Sequence, residues 1–214
     1  MSLQAKARAL AAALALAAIV LGSCGIDFIS TLNPPRSIVG LTGFRANDDP
    51  GDGYLGVAAA YRIYDALDQA SADVARLRQR QDASGAIPGD AIQSFLLSPS
   101  GLRYKPLIIK NAPANPTFRA SIAALHDVTL VWRTVERQVV AQINSVDYVL
   151  ERSSKSFSTQ PIDGDEDYAK TSESNNEFFL QVIVYSFGAD LVNASLRDLF
   201  SVGVELDTLG IQYE

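Results

Sequence analysis

The chain has 214 residues, 48% hydrophobic and 20% charged, with a formal net charge of −6, one cysteine and one histidine. Setting aside Lys6 and Arg8, the two charges of the first 24 residues, leaves a body at −8. That balance argues against a nucleic-acid backbone or anionic headgroups as partner, since both need clustered Lys and Arg. The single Cys and His remove most metal and redox chemistry. Residues 1–8 form a short positive lead, and residues 9–21 are 13 consecutive apolar residues. Such a run is too short to span a hydrocarbon core of roughly 30 Å, which takes about 20 helical residues. Its length and flanks fit the h-region of a secretory signal peptide.

The run ends in Leu21-Gly22-Ser23-Cys24. This resembles the lipobox of bacterial lipoproteins, in which a small residue precedes the cysteine. The resemblance implies cleavage between Ser23 and Cys24 and a diacylglyceryl group on the Cys24 thiol. Each buried methylene contributes about 0.8 kcal/mol, and two acyl chains hold where one binds reversibly. Gly25, rather than Asp, follows the cysteine. In lipoproteins of enteric type an aspartate there favours inner-membrane retention, so the expected destination is the outer membrane, with the face left open. With Cys24 consumed, the exported body has no disulfide, and its roughly 190 residues must fold on their core alone.

Residues 25–36, with Asn33-Pro34-Pro35, read as a tether lifting the domain off the bilayer. Residues 38–44 are a short apolar run, and residues 47–53 a dense turn cluster. Residues 54–64 read as a strand with Leu55, Val57, Tyr61 and Ile63 on one face; helical spacing through Leu77 is the competing reading. A helix is expected over residues 67–81, rich in Ala, Leu, Arg and Gln. Further short runs occupy residues 92–97, 102–109, 118–124, 128–134, 139–143 and 146–150, the last two separated by Asn144-Ser145, a tight turn. Residues 161–177 are acidic and read as a long exposed loop. Residues 178–187 are the strongest strand, aromatic and β-branched, and residues 200–206 and 209–213 close the chain.

Many short strands with regular turns predict a mainly β protein: a β-sandwich decorated by one helix and preceded by the signal helix. Tyr54 to Tyr64, ending Tyr-Arg-Ile-Tyr, resembles the third strand of a fibronectin type III module, and Leu180 to Gly188 with the strand after it resembles that module's last hairpin. The resemblance implies an immunoglobulin-like sandwich carrying insertions, because about 110 residues part the two segments. The expected plan is a signal peptide over residues 1–23, a lipidated tether over 24–36 and the sandwich over 37–214.

Gly51-Asp52-Gly53-Tyr54-Leu55-Gly56 matches GxGxxG, yet Asp48, Asp49 and Asp52 would repel a pyrophosphate, so it reads as a turn feeding a strand. Asp163, Asp165 and Asp167 alternate as at the start of a calcium loop. Tyr168 then replaces the required Gly and Ser174 the bidentate Glu; Glu166, Glu173 and Glu177 are further oxygen donors nearby. These aspartates are weak calcium candidates within an expectation of no metal and no cofactor beyond the lipid on Cys24. His126 stands alone beside Asp127, without a nucleophile motif, and reads as a surface residue. Trp132, Tyr104, Tyr148, Tyr168 and Tyr185 suit a sugar or peptide platform but read first as core. Arg76, Arg78 and Arg80 read as a solvated helix face. The function expected is non-catalytic binding or structure at the membrane surface, with a protein or glycan partner and no nucleic acid or nucleotide. The alternatives are an exported hydrolase working through carboxylates and a subunit of an envelope assembly complex.

Overall fold

The computed structural model describes residues 32–51, 53–80, 92–109, 127–153, 155–171, 176–189, 198–201 and 203–213. The expected signal helix, the lipobox and the run at 118–124 lie outside them. Strands come in chain order as β1 (Arg36–Ser37), β2 (Gly43–Arg45), β3 (Tyr54–Tyr64), β4 (Lys105–Pro106), β5 (Ile108–Ile109), β6 (Val128–Arg133), β7 (Gln138–Ile143) and β8 (Val146–Glu151). They continue as β9 (Tyr168–Ala169), β10 (Glu177–Ala189), β11 (Asp198–Phe200), β12 (Val204–Glu205) and β13 (Leu209–Gln212). Helix α1 (Leu67–Arg78) follows β3, and a single π turn covers Ile92–Leu96.

Two sheets pack as a β-sandwich. The first runs β1-β2-β6-β7-β8-β5, and the second runs β11-β10-β3-β4 with β12 and β13 also on β10. β3 and β10, the segments that carry the fibronectin III resemblance, are antiparallel neighbours from Tyr64 against Phe179 to Tyr54 against Gly188. The first sheet is built around the β6-β7-β8 meander. The expected return strand after β10 is broken into β11, β12 and β13, all antiparallel to β10.

β3 and β10 are apolar on both faces because each face has its own cover. Val57, Ala59, Tyr61 and Ile63 meet Leu180, Val182, Val184, Leu130 and Val139 between the sheets. On the opposite face Ala58 and Ala60, with Ile183 and Tyr185, pack under Val74 and Leu77 of α1 and under Ile92 and Leu96. Small alanines on β3 leave room for a helix at that distance. α1 therefore begins after the strand, as its composition requires, and the strand-then-helix division is correct.

Four expectations change. The run at 92–97 is the Ile92–Leu96 π turn and a bend rather than a strand, roofing the helix-side core with Ile92 and Leu96. Residues 38–44 are mostly the turn joining β1 to β2, which leaves Val39 97% exposed. Leu55 shares the parity of Val57 but sits at the start of β3 beyond the sandwich, and is exposed. The run 102–109 is divided between sheets, since β4 pairs with β3 and β5 with β8.

The segment expected to be a tether is bonded to the sandwich from Asn33 onward. Asn33 N–H donates to Pro50 O at 2.9 Å, its side-chain amide donates to Asp49 O at 2.7 Å, and its carbonyl accepts from Ser186 Oγ at 2.7 Å. Asn47 donates to Pro34 O at 3.1 Å, and Pro35 is buried. Residues 33–36 thus belong to the sandwich.

Candidate functional site

The densest polar constellation sits where the chain leaves β8. Arg152 is 3% exposed, and its guanidinium forks onto Asp167: Nε reaches Oδ2 at 2.8 Å and Nη2 reaches Oδ1 at 2.6 Å. Nη2 also reaches Asp165 Oδ2 at 2.7 Å, and Nη1 donates to Thr159 O at 3.1 Å. Tyr61, from the middle of β3, donates its hydroxyl to Asp167 Oδ2 at 2.7 Å and accepts from Ser153 N–H at 2.8 Å. Lys155 completes the set on Asp165. A bidentate guanidinium–carboxylate pair suits such a site because several charge-assisted hydrogen bonds offset the cost of desolvating both ions.

Burial alone would raise the pKa of Asp167, but hydrogen bonds from Arg152 and Tyr61 and the Arg152 charge outweigh it, and the group lies below the usual carboxylate range. Asp165 is held low in the same way, burial being overcome by Lys155 and Arg152. Burial and the Asp167 charge push the Tyr61 hydroxyl up. A general acid at neutral pH needs a carboxyl pKa shifted upward. These two carboxylates are shifted downward and bound to the protein's own cations, which suits a lock on the 155–171 segment.

That lock ties down part of the segment read as a long exposed loop over 161–177, in which Ile162, Asp163, Gly164, Glu166 and Lys170 are exposed. Pro161 and Asp167 are buried, and Ile63 N–H donates to Asp167 O at 2.9 Å beside the parallel pairing of β3 with β9. The alternating aspartates do not converge on one point. Asp165 and Asp167 face a guanidinium, whereas Asp163 is exposed near Lys170 at 3.4 Å. Glu166 pairs with Lys105 at 2.6 Å. No group of three metal-ligating side chains forms among the described residues.

Two smaller networks flank the lock along β3. Asp73 of α1, 1% exposed, accepts from Tyr64 at 3.0 Å, from Arg62 at 3.2 Å and from Arg76 at 3.1 Å, while Tyr64 touches Tyr104 hydroxyl to hydroxyl at 3.3 Å. Arg62 also donates to Leu102 O. Asp65, just past β3, accepts from Thr171 N–H at 2.9 Å and from Tyr168 at 2.9 Å. The sequence reading missed Arg152, Asp73 and Asp65. Only a charged residue inside an otherwise apolar or helical pattern marks them.

Of the remaining sequence-predicted residues, Ser23, Cys24 and His126 lie outside the described residues. Gly51 and Gly53 have positive φ of 90° and 76° and turn the chain into β3, as the turn reading requires. Tyr104 and Tyr185 are core, Trp132 and Tyr168 are half-buried against it, and Tyr148 is exposed, so the five aromatics form no common platform. Trp132 packs on Tyr213 at 5.6 Å between ring centres. Arg76 and Arg78 of α1 and Arg80 just past it are exposed, as the solvated-face reading expects, and they also make surface contacts: Arg78 bonds Glu205 at 2.8 Å, and Arg76 and Arg80 lie 5.6 and 4.5 Å from the Phe95 ring centre. A shallow cleft of about 330 Å³ is lined by Asn176, Glu177, Gln212 and Tyr213, and another of about 480 Å³ by Arg78 and residues 204–208.

No family model, no curated protein and no solved structure matches this chain.

Proposed function

We propose that this chain is a lipid-anchored cell-envelope protein whose β-sandwich serves a non-catalytic binding or structural role at the membrane surface. The observation that carries the reading is the order of positive lead, 13-residue apolar run and Leu21-Gly22-Ser23-Cys24. Each part depends on the next: the lead and run export the chain, the small residues admit a peptidase, and the thiol accepts the lipid. Gly25 after the cysteine favours the outer membrane. The buried ionisable residues support a structural role for the body, because Arg152, Asp165, Asp167 and Asp73 bond protein partners.

Replacing Cys24 tests the reading directly. Cys24→Ala is expected to stop incorporation of a fatty-acid analogue and to shift the protein from the membrane to the soluble fraction. Undiminished labelling of that variant would overturn the anchor. For the body, saturable turnover of glycoside or ester substrates that a single Asp or Glu substitution abolishes would replace the binding role with a hydrolase.

A further inference from the structure

Resting on the lipid-anchor reading, the geometry points to one orientation: we infer that the sandwich stands with its Asn33–Gly188 end toward the bilayer and its β6–β7 rim, carrying Val135, away from it. The inference rests on where the chain becomes fixed and on how little chain precedes that point.

Leu32 packs near Gly188, its Cδ1 being 3.2 Å from where a Cβ on Gly188 would stand, and Gly188 pairs with Tyr54 at the start of β3. Asn33 is hydrogen-bonded to Pro50, Asp49 and Ser186 at the same end. Eight peptide steps separate Cys24 from Leu32, and a fully extended chain covers at most about 29 Å in that number. The opposite end is farther. Eleven residue steps along β10 lead from Gly188 to Glu177, about 36 Å at strand rise. Glu177 pairs with Gln212, the neighbouring Tyr213 touches Trp132, and Trp132 lies near the end of β6, just before the 134–137 turn. Val135 at that turn is 91% exposed. A domain inverted onto the rim would need more chain than the anchor supplies. The rim around Val135 then stands away from the membrane, and residues 46–51 face the bilayer.

The thioether at Cys24 leaves no free thiol, so one introduced cysteine carries one label. Asp49→Cys marks the near end, where the backbone rather than the side chain makes the contacts to Asn33 and Asn47. Leu55→Cys, at an exposed position of the same end, guards against a local perturbation at Asp49. Val135→Cys marks the rim. Lipidated full-length variants, each with a donor dye, are placed in phosphatidylethanolamine–phosphatidylglycerol vesicles bearing an energy acceptor on the headgroups. The near-end dyes are expected to lose most of their emission, while the rim dye keeps most of it. Equal loss at all three sites, as for a domain lying on its side, or greater loss at Val135 overturns the orientation. A protein that fails to float with the vesicles, or whose Cys24 still reacts with maleimide, instead overturns the anchor reading and the orientation with it.

Discussion

Arg152 shows how a buried charge is tolerated when each guanidinium nitrogen has an acceptor. Its neighbours come from three separate places: Tyr61 in β3, Thr159 in the loop after β8, and Asp165 and Asp167 ahead of β9. Removing one partner leaves an uncompensated guanidinium in the interior, a loss of about 3–5 kcal/mol. Asp167→Asn is therefore expected to lower the unfolding free energy by that much, read as a lower denaturant midpoint, with the β-sheet signal retained below the transition. The same pair sets an acid limb. Asp165 and Asp167 titrate lower in the folded than in the unfolded chain, so their contribution is complete above the ordinary aspartate range near 4 and disappears as pH falls through and below it. The wild-type stability curve should drop on that side, and Asp167→Asn should drop less steeply, because one titrating group is gone. A variant curve parallel to wild type would show that the cluster does not govern the acid limb.

Elements differ in how much of their cause is local. β10, α1 and the β7–β8 hairpin were legible because each is decided by neighbouring residues: aromatic and β-branched alternation, a run of helix formers, and a two-residue turn. The turn residues Asn144 and Ser145 both have positive φ, 50° and 63°, as a type I′ turn demands. Serine pays about 1–2 kcal/mol for the left-handed region, and glycine offsets that with a larger unfolded-state entropy. Ser145→Gly should thus raise thermal stability by up to about 1 kcal/mol, read as a higher Tm, and Ser145→Val should lower it. The Arg152 lock and the π turn at Ile92 were not legible. Tyr61 and Asp167 lie 106 positions apart, and no local pattern records which strand an arginine will face. A pentad such as Ile92–Leu96, with apolar residues only at its first, fourth and fifth positions, is too short for its period to separate strand from helical turn, and only the uncovered alanine face of β3 decides between them. The exposed-loop reading of the acidic segment missed its buried anchor for the same reason, since its charge count is real but its cation, Arg152, stands just past β8.

At the scale of the molecule, β3 and β10 join two cores into one cooperative body. The same two strands present Val57, Tyr61, Leu180 and Val182 to the partner sheet and Ala58, Ala60, Ile183 and Tyr185 to the helical layer. Neither core can lose its wall without exposing the other. A cavity on either side should then lower one shared transition. Leu130→Ala, between the sheets, and Leu77→Ala, under α1, are each expected to cost about 2–5 kcal/mol. Both variants should keep the wild-type denaturant slope, because the surface exposed on unfolding is unchanged. The contrary outcome is specific: if Leu77→Ala splits the transition, with helical signal lost ahead of sheet signal, the α1 layer is a separately melting cover. A rigid single body matters for the orientation inferred above, because Asn33 can hold the distant Val135 rim off the bilayer only if no hinge separates them.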